Sequence, residues 1–340
     1  MIQFHHDGHS VDLKAGEIWR SSSIHPDNSY RDTPEKTLWS IVDQINSGLP
    51  WREVVASHYA ESFPWLHRIV CDSSRDLYFR QYPAPSDSLV LDIGAGWGQI
   101  SLPMAKQNRV VALEPTSERL AFIKAIANQE NVSSRVAFIE SDFLDLEFQP
   151  VFDLVCCIGV LEWVPKYRTG LPRELQRDFL ERMLALLAPG GSVVVGIENR
   201  LGLKYFLGGN DDHIGSPNIA VLDAELANRR FQAITGNELR SYTYSRAEYI
   251  ELFAEAGFSN VTFYASFPDY KLPALIHPAD ASLEALLANG AEIPDEHDGS
   301  NGIRLPDAMQ EVLQSHYKSL AKNRISQYFA PSYFIRASVG

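Results

Sequence analysis

Apolar and polar positions change their rhythm along this chain. Leu38, Ile41, Val42 and Ile45 recur at helical spacing. Thr33-Pro34-Glu35 ahead of them reads as an N-cap, a proline at the first helical position and an acid in the first turn, and Gly48 ends the run. A further helical stretch is expected over much of 51–78, so residues 1–85 read as a helical N-terminal segment.

Beyond residue 85, short apolar runs alternate with amphipathic stretches. SLVLDIG, RVVALEP, RVAFIESD, FDLVCCIGV and SVVVGIE read as strands. GQISLPMAKQ, TSERLAFIKAIANQ (opened by Thr116) and RELQRDFLERMLALLA read as helices, the last with Leu175, Phe179, Met183 and Leu187 on one face. NVTFYASF follows a helix opened by the capping box Ser245-Arg246-Ala247-Glu248 and closed by Gly257. SYFIRASV is the last strand. This alternation predicts an α/β fold: a Rossmann-like, doubly wound, seven-stranded sheet, mostly parallel with the last strand antiparallel. The rhythm breaks over 199–244 and over 268–330, which includes PDEHDGSNG. Insertions at the loop ends of such a sheet build substrate pockets, so both are expected as lids on a core spanning 86–340.

Composition narrows the function. The 340 residues are 45% hydrophobic, enough for a large core, and carry a net charge of −13. That charge argues against nucleic acid and against an anionic membrane surface. No apolar run reaches the roughly 18 residues a membrane span needs. The N-terminus shows no apolar signal-peptide core. Cys156 and Cys157, adjacent in an apolar strand, are expected to be buried and reduced, as in a cytoplasmic protein. His5, His6 and His9 around Asp7 are expected to be a solvated lead-in, because no second ligand cluster stands out to complete a metal site.

The most informative stretch is LDIGAGWGQ. A dinucleotide fingerprint spaces its glycines G-x-G-x-x-G. Here they fall at Gly94, Gly96 and Gly98, and Gln99 stands where the third would be. Asp92 precedes the turn, where a carboxylate would repel a pyrophosphate but suit a ligand carrying ammonium and sulfonium charges. Glu114 ends the second strand, where an acid can take both ribose hydroxyls. Asp142 follows the third strand, placed to accept from an adenine amino group while Phe143 packs on the ring.

With LDIGAGWG, VALEP, ESDF, CCIGVLEWV and LLAPGGSVVV in this order, the chain resembles class I S-adenosylmethionine-dependent methyltransferases over 88–197. The resemblance implies S-adenosyl-L-methionine as cofactor. Gly94, Ala95, Gly96, Gly98 and Gln99 would face its methionine part. Glu114 with Pro115 would hold the ribose, and Asp142 with Phe143 the adenine. Ile158, Gly159 and Leu161, from IGVLEWV, would line the far side. The family's usual pattern has histidine where this chain has Trp163. IENRLGLKYFLGGNDDH and FPDYKLP further resemble a subset of bacterial methyltransferases associated with surface-glycan assembly, which implies O-methylation of a sugar or glycan hydroxyl.

A sugar hydroxyl needs a general base within hydrogen-bond reach. His213 is the first candidate, because its ordinary pKa is near neutral, and Glu162 is the second. Asn199, Arg200, Lys204 and Tyr205 follow the fifth strand and are expected to contact substrate, the two cations gripping an anionic acceptor. Asp211-Asp212-His213 invites a metal reading, but adjacent acids on one loop rarely share an ion and no distant partners stand out, so no metal is expected. A small-molecule acceptor, a non-catalytic cofactor-binding partner subunit and a nicotinamide dehydrogenase remain as alternatives. The acceptor's identity and the oligomeric state stay open.

Overall fold

The computed structural model describes residues 2–21, 31–149, 151–294 and 307–340. The chain divides into two compact units, one of residues 1–158 with 182–193, the other of 159–181 with 194–340.

The first unit opens with strands, where a helical segment was expected. β1 (Ile2–His6) and β2 (His9–Leu13) pair antiparallel around Asp7-Gly8, and β3 (Ile18–Arg20) follows. Asp7 and Gly8 both take positive φ, the geometry of a two-residue hairpin turn. The histidines and aspartate read as a solvated lead-in therefore build that hairpin, and His6 is buried against Ser21. Helices begin at α1 (Glu35–Asn46) and continue as α2 (Trp51–Tyr59), α3 (Pro64–Cys71) and α4 (Leu77–Gln81). Leu38, Ile41, Val42 and Ile45 are the buried face of α1, as its spacing predicts. Thr33 does not cap this helix; its hydroxyl meets Tyr59 Oη at 2.7 Å.

The alternating core follows: β4 (Leu89–Ile93), α5 (Ser101–Met104), β5 (Arg109–Leu113), α6 (Ser117–Gln129), β6 (Val136–Glu140), β7 (Glu147–Phe148) and β8 (Phe152–Ile158). α7 (Pro172–Ala185) and β9 (Leu187–Glu198) run from one unit into the other. In this unit the strand order is β9-β8-β4-β5-β6-β3, while β7 joins β1 and β2 in a separate sheet. β4 pairs parallel with β5 and with β8. β5 and β6 step outward from β4, and the chain then returns to β4's other side as β8. That switch point is where an open α/β sheet offers a crevice at the carboxyl ends of its strands. Every residue of β4 is buried, its four apolar side chains and Asp92 alike.

The second unit contains α8 (Leu203–Phe206), α9 (Ala224–Thr235), α10 (Arg246–Glu255), β10 (Asn260–Phe267), β11 (Leu275–Pro278), α11 (Ala281–Ala288), α12 (Asp307–Lys322) and β12 (Ser332–Ser338). Its strand order is β11-β10-β12-β9. β12 runs antiparallel to β10, and the capping box at Ser245 and Glu248 is formed. The seven expected strands are β4, β5, β6, β8, β9, β10 and β12. β3 and β11 are additions, and the second insertion holds two helices that its prolines and acids concealed. Part of PDEHDGSNG lies outside the described residues. No helix of the described residues is long and apolar enough to cross a membrane.

Candidate active site

In the first unit the glycine turn hangs between two strand ends. The N–H groups of Gly94 and Ala95 both donate to Leu113 O at the end of β5. Gly94, Gly96 and Gly98 all take positive φ, so the turn needs residues without a Cβ. A Cβ at Gly98 would press on Leu102 and Ile123 at 3.0–3.2 Å, whereas one at Gly96 would meet only Gly94 O at 3.7 Å. The turn thus packs tightly at Gly98 and stays open at Gly96.

Glu114 is buried and locks the turn. Its Oε2 accepts from Gly96 N–H at 2.9 Å. Its Oε1 accepts from Thr116 N–H at 3.2 Å and from the Thr116 hydroxyl at 2.7 Å. That hydroxyl is spent on Glu114, so Thr116 opens α6 without a side-chain cap. Asp92 is 2% exposed and accepts from Ser101 Oγ at 2.6 Å. Burial pushes its carboxyl up to about 6, against the opposing pull of Ser101 and Arg75. Asp142 caps the turn at Phe143–Asp145 by accepting from Leu144 N–H at 2.9 Å. Phe143 and Ile158 are buried, Pro115 is half-buried, and the Gln99 amide donates to Ile69 O at 2.9 Å. One contact had no signal in the sequence. Trp97, inside the glycine motif, donates to Asp32 at 3.0 Å, and Arg119 pairs with the same carboxylate at 2.9 Å.

The second unit gathers ionisable groups in its interior. His213 Nε2 lies 3.5 Å from Glu162 Oε1 and 3.4 Å from Glu198 Oε2, and its Nδ1 lies 3.6 Å from Asp211 Oδ1. Lys271 pairs with Glu198 Oε1, and Tyr270 donates to Glu162 Oε1 at 3.3 Å. The side chains of His213, Glu162 and Glu198 are 6%, 1% and 1% exposed. Burial opposes charge on the imidazole, but Glu198, Asp211 and Glu162 raise its pKa well above the ordinary value. Burial likewise favours the neutral form of Glu198, yet Lys271 and His213 outweigh it and hold that carboxyl down at about 2. Glu162 shares His213 but has no lysine beside it, and burial raises its pKa against the pull of the imidazole. The surrounding carboxylates thus favour the protonated form of His213, which argues against the imidazole acting as the base by itself.

The backbone around these groups is fixed in detail. Buried Gln176 donates to Leu161 O and Tyr242 O and accepts from Tyr244, while Tyr242 N–H donates to Glu162 O. Tyr249 donates to Glu198 O at 3.0 Å. Asp211 Oδ1 accepts from the His213 and Ile214 N–H groups, turning the imidazole inward. A Cβ on Gly159 would sit 2.8 Å from Tyr270 Oη, so the glycine leaves room for the hydroxyl that reaches Glu162. Leu161 is buried beside it in sequence. The Trp163 ring stands 5.1 Å from the imidazole, edge-on.

The four residues expected to contact substrate are engaged within the protein. Arg200 forms a two-pronged pair with Glu248, at 2.7 and 3.0 Å, and also donates to Val221 O. Lys204 and Tyr205 both donate to Asp212 Oδ2, at 2.8 and 2.7 Å. Asn199 is fully buried and donates to Tyr328 O, Ala330 O and Tyr333 Oη. The structure thus spends both cations and the amide on holding the insertions. Glu198, Tyr270 and Lys271 are the cluster members that the reading of the sequence left out, and Asp211 was weighed there only for a metal; all four lie in IENRLGLKYFLGGNDDH and FPDYKLP, the two segments picked out as a resemblance.

Residues 90–191 match the family model described as a methyltransferase domain. The ubiquinone biosynthesis O-methyltransferase of Rickettsia akari is 27% identical over 120 residues, which is 35% of this chain and 43% of that protein. The tRNA 5-carboxymethoxyuridine methyltransferase of Escherichia coli is 27% identical over 135 residues, 38% of this chain and 48% of that one. The matches span less than half the length of these curated relatives. Among solved structures, phosphoethanolamine N-methyltransferase 2 of Haemonchus contortus, in complex with S-adenosyl-L-methionine, superposes with a TM-score of 0.45 at 15% identity, over 88% of this chain and 60% of that one.

Two outcomes follow from these electrostatics. Asp92 binds its proton more tightly folded than unfolded, so its contribution is full below about pH 4 and is lost as pH rises toward about 6. Asp92→Asn keeps an acceptor for Ser101 and removes the ionisation cost. Its urea midpoint should match wild type near pH 4 and exceed it at pH 7.5, by up to about 3 kcal/mol in stability; identical pH profiles would discount the buried carboxylate. His213→Ala leaves Glu162 and Glu198 facing each other with no imidazolium and should cost about 3–5 kcal/mol at pH 7. Adding Glu162→Gln should recover part of that loss. Wild-type stability in the single variant would show that the imidazole balances nothing.

Proposed function

We propose that the protein is an S-adenosylmethionine-dependent methyltransferase that methylates a hydroxyl of a sugar or glycan. The observation that carries the cofactor is the pair of acids on the glycine turn: Glu114 holding Gly96 N–H at the end of β5, and Asp92 buried in β4. The open face at Gly96 fits a ligand that approaches the backbone closely. In this reading the Gly94–Gly98 turn receives the methionine portion, and Glu114 uses its remaining acceptor capacity for the ribose. Asp142 and Phe143, beyond β6, take the adenine. The methyltransferase-domain match over 90–191 supports this assignment.

S-adenosylmethionine supplies a methyl group made electrophilic by its sulfonium. The protein's task is then to orient the acceptor and to remove its proton. His213 and Glu162, the two candidates for the base, belong to one buried cluster. We therefore assign proton removal to that cluster and not to the imidazole alone. Oxygen as the methylated atom is supported by the similarity to ubiquinone biosynthesis O-methyltransferases. The glycan class is supported by IENRLGLKYFLGGNDDH and FPDYKLP, and these segments contribute His213, Asp211, Tyr270 and Lys271. A small-molecule acceptor is the second reading, favoured by those same relatives. A tRNA acceptor is opposed by the net charge of −13.

Calorimetry should detect micromolar binding of S-adenosylmethionine or its demethylated product and none of NAD. Tight NAD binding alone would sink the assignment. Glu114→Ala should weaken cofactor binding by about 2–3 kcal/mol, with an unchanged circular dichroism spectrum. An unaltered dissociation constant would remove Glu114 from the site. Mass spectrometry of surface glycans from a strain lacking the gene should reveal a missing methyl ether. Unchanged glycans with altered small-molecule methylation would favour the second acceptor class.

A further inference from the structure

We infer that Glu162, Glu198 and His213 form a binding site for a single divalent transition-metal ion. They are the group that, among the described residues, brings three or more potential ligands together, with one ligand atom from each within 4.8 Å of the others. The individual separations have the right size. Two atoms bound about 2.1 Å from one ion stand about 3.4 Å apart when the coordination is tetrahedral. His213 Nε2 lies 3.4 Å from Glu198 Oε2 and 3.5 Å from Glu162 Oε1.

A second observation points to a ligand. Glu162 Oε2 and Glu198 Oε2 are buried and accept no hydrogen bond. A single N–H at Nε2 cannot aim at two carboxylates at once. Buried carboxylate oxygens without donors are costly and rare; an ion beside His213 Nε2 meets Glu198 Oε2 directly, and it reaches Glu162 through the carboxylate whose Oε1 lies 3.5 Å from that nitrogen. The surroundings have the form of a metal's outer shell. Glu198 faces the imidazole with Oε2 while its other oxygen is held by Lys271, and Tyr270 donates at 3.3 Å to Glu162 Oε1, the oxygen that faces Nε2. The far nitrogen of His213 faces the Asp211 carboxylate at 3.6 Å, the carboxylate–histidine relation that orients metal-bound imidazoles. Charge agrees as well. Among the described residues, the charged groups paired with the three candidate ligands are Asp211 and Lys271; with a neutral imidazole, three carboxylates and one ammonium leave the two negative charges that one divalent cation balances.

A set of two carboxylate oxygens and one imidazole nitrogen suits zinc or manganese over calcium or a soft ion. Three protein ligands leave a coordination position open, as in metal sites that bind an oxygen donor from a ligand. The Asp211-Asp212 pair does not share the ion: Asp211 backs the imidazole, and Asp212 is held by Lys204 and Tyr205.

The test is a manganese titration of the purified full-length protein, without S-adenosylmethionine or acceptor, followed by the electron paramagnetic resonance signal of the free aquo ion. One Mn²⁺ should bind per chain, and Zn²⁺ should displace it. Glu162→Gln and Glu198→Gln should each weaken binding about tenfold or more, with circular dichroism and calorimetric cofactor affinity both retained. Wild-type protein that leaves all the manganese in aquo form overturns the inference and makes the cluster an internal ion-pair network. Stoichiometric binding that both glutamine variants leave intact overturns it too, since the ion then sits elsewhere. Cofactor binding is measured separately and without metal, so failure of the methyl-transfer reading is distinguishable from failure of this one.

Discussion

Burying like charges is the constraint around which the second unit is organised. Glu162 and Glu198 both lose water, and their carboxylates face the same imidazole. In a low-dielectric interior such a pair stands only if cations and donors surround it. The unit supplies His213, Lys271 and the Tyr270 hydroxyl, from segments far apart in sequence. Gln176, Tyr242 and Tyr249 fix the backbones of the strand end and the turn that carry the two glutamates. Asn199 then ties the end of β9 to the segment before β12 through three donated hydrogen bonds. A buried polar network tolerates no partial version, because each member left without a partner costs more than it contributes when paired.

The same economy explains the fate of the cations after β9. Arg200 and Lys204 were expected to grip an anionic acceptor, yet each is taken by a carboxylate of its own unit. A guanidinium held two-pronged by Glu248 and bonded to Val221 O organises an insertion. Glu248 is itself the N3 residue of the α10 capping box, so one side chain joins the helix start to the insertion. In the first unit Glu114 plays a comparable part. It stabilises the glycine turn directly, and any ligand role is added to that structural one.

The alternation of apolar runs with amphipathic stretches determined the core by itself. Each of the seven strands overlaps its expected segment, because strands at the centre of the sheet are buried on both faces and mostly apolar, although β9 begins already at Leu187, within the expected helix end. The glycine turn was equally legible, since positive φ at Gly94, Gly96 and Gly98 is a local demand that the residue type announces. The capping box at Ser245 was legible for the same reason. The N-terminal hairpin was missed because its strands are short, polar and dominated by histidines whose chemistry drew the reading elsewhere. The helices α11 and α12 were missed because flanking prolines and acids masked their apolar faces.

What only the tertiary structure decided is which charges meet. Sequence offered Glu162 as one candidate and Asp211-Asp212-His213 as another, and gave no reason to join Glu198 or Lys271 to them. These residues stand tens of positions apart, and their pairing depends on how β9, the 199–244 insertion and the segment after β10 fold onto one another. A histidine's ordinary pKa suggests a base, whereas three carboxylates around it raise that pKa and favour its protonated form. Residue type sets what a group can do, but the number and sign of its buried neighbours set what it does, and those neighbours come from chain closure across long loops.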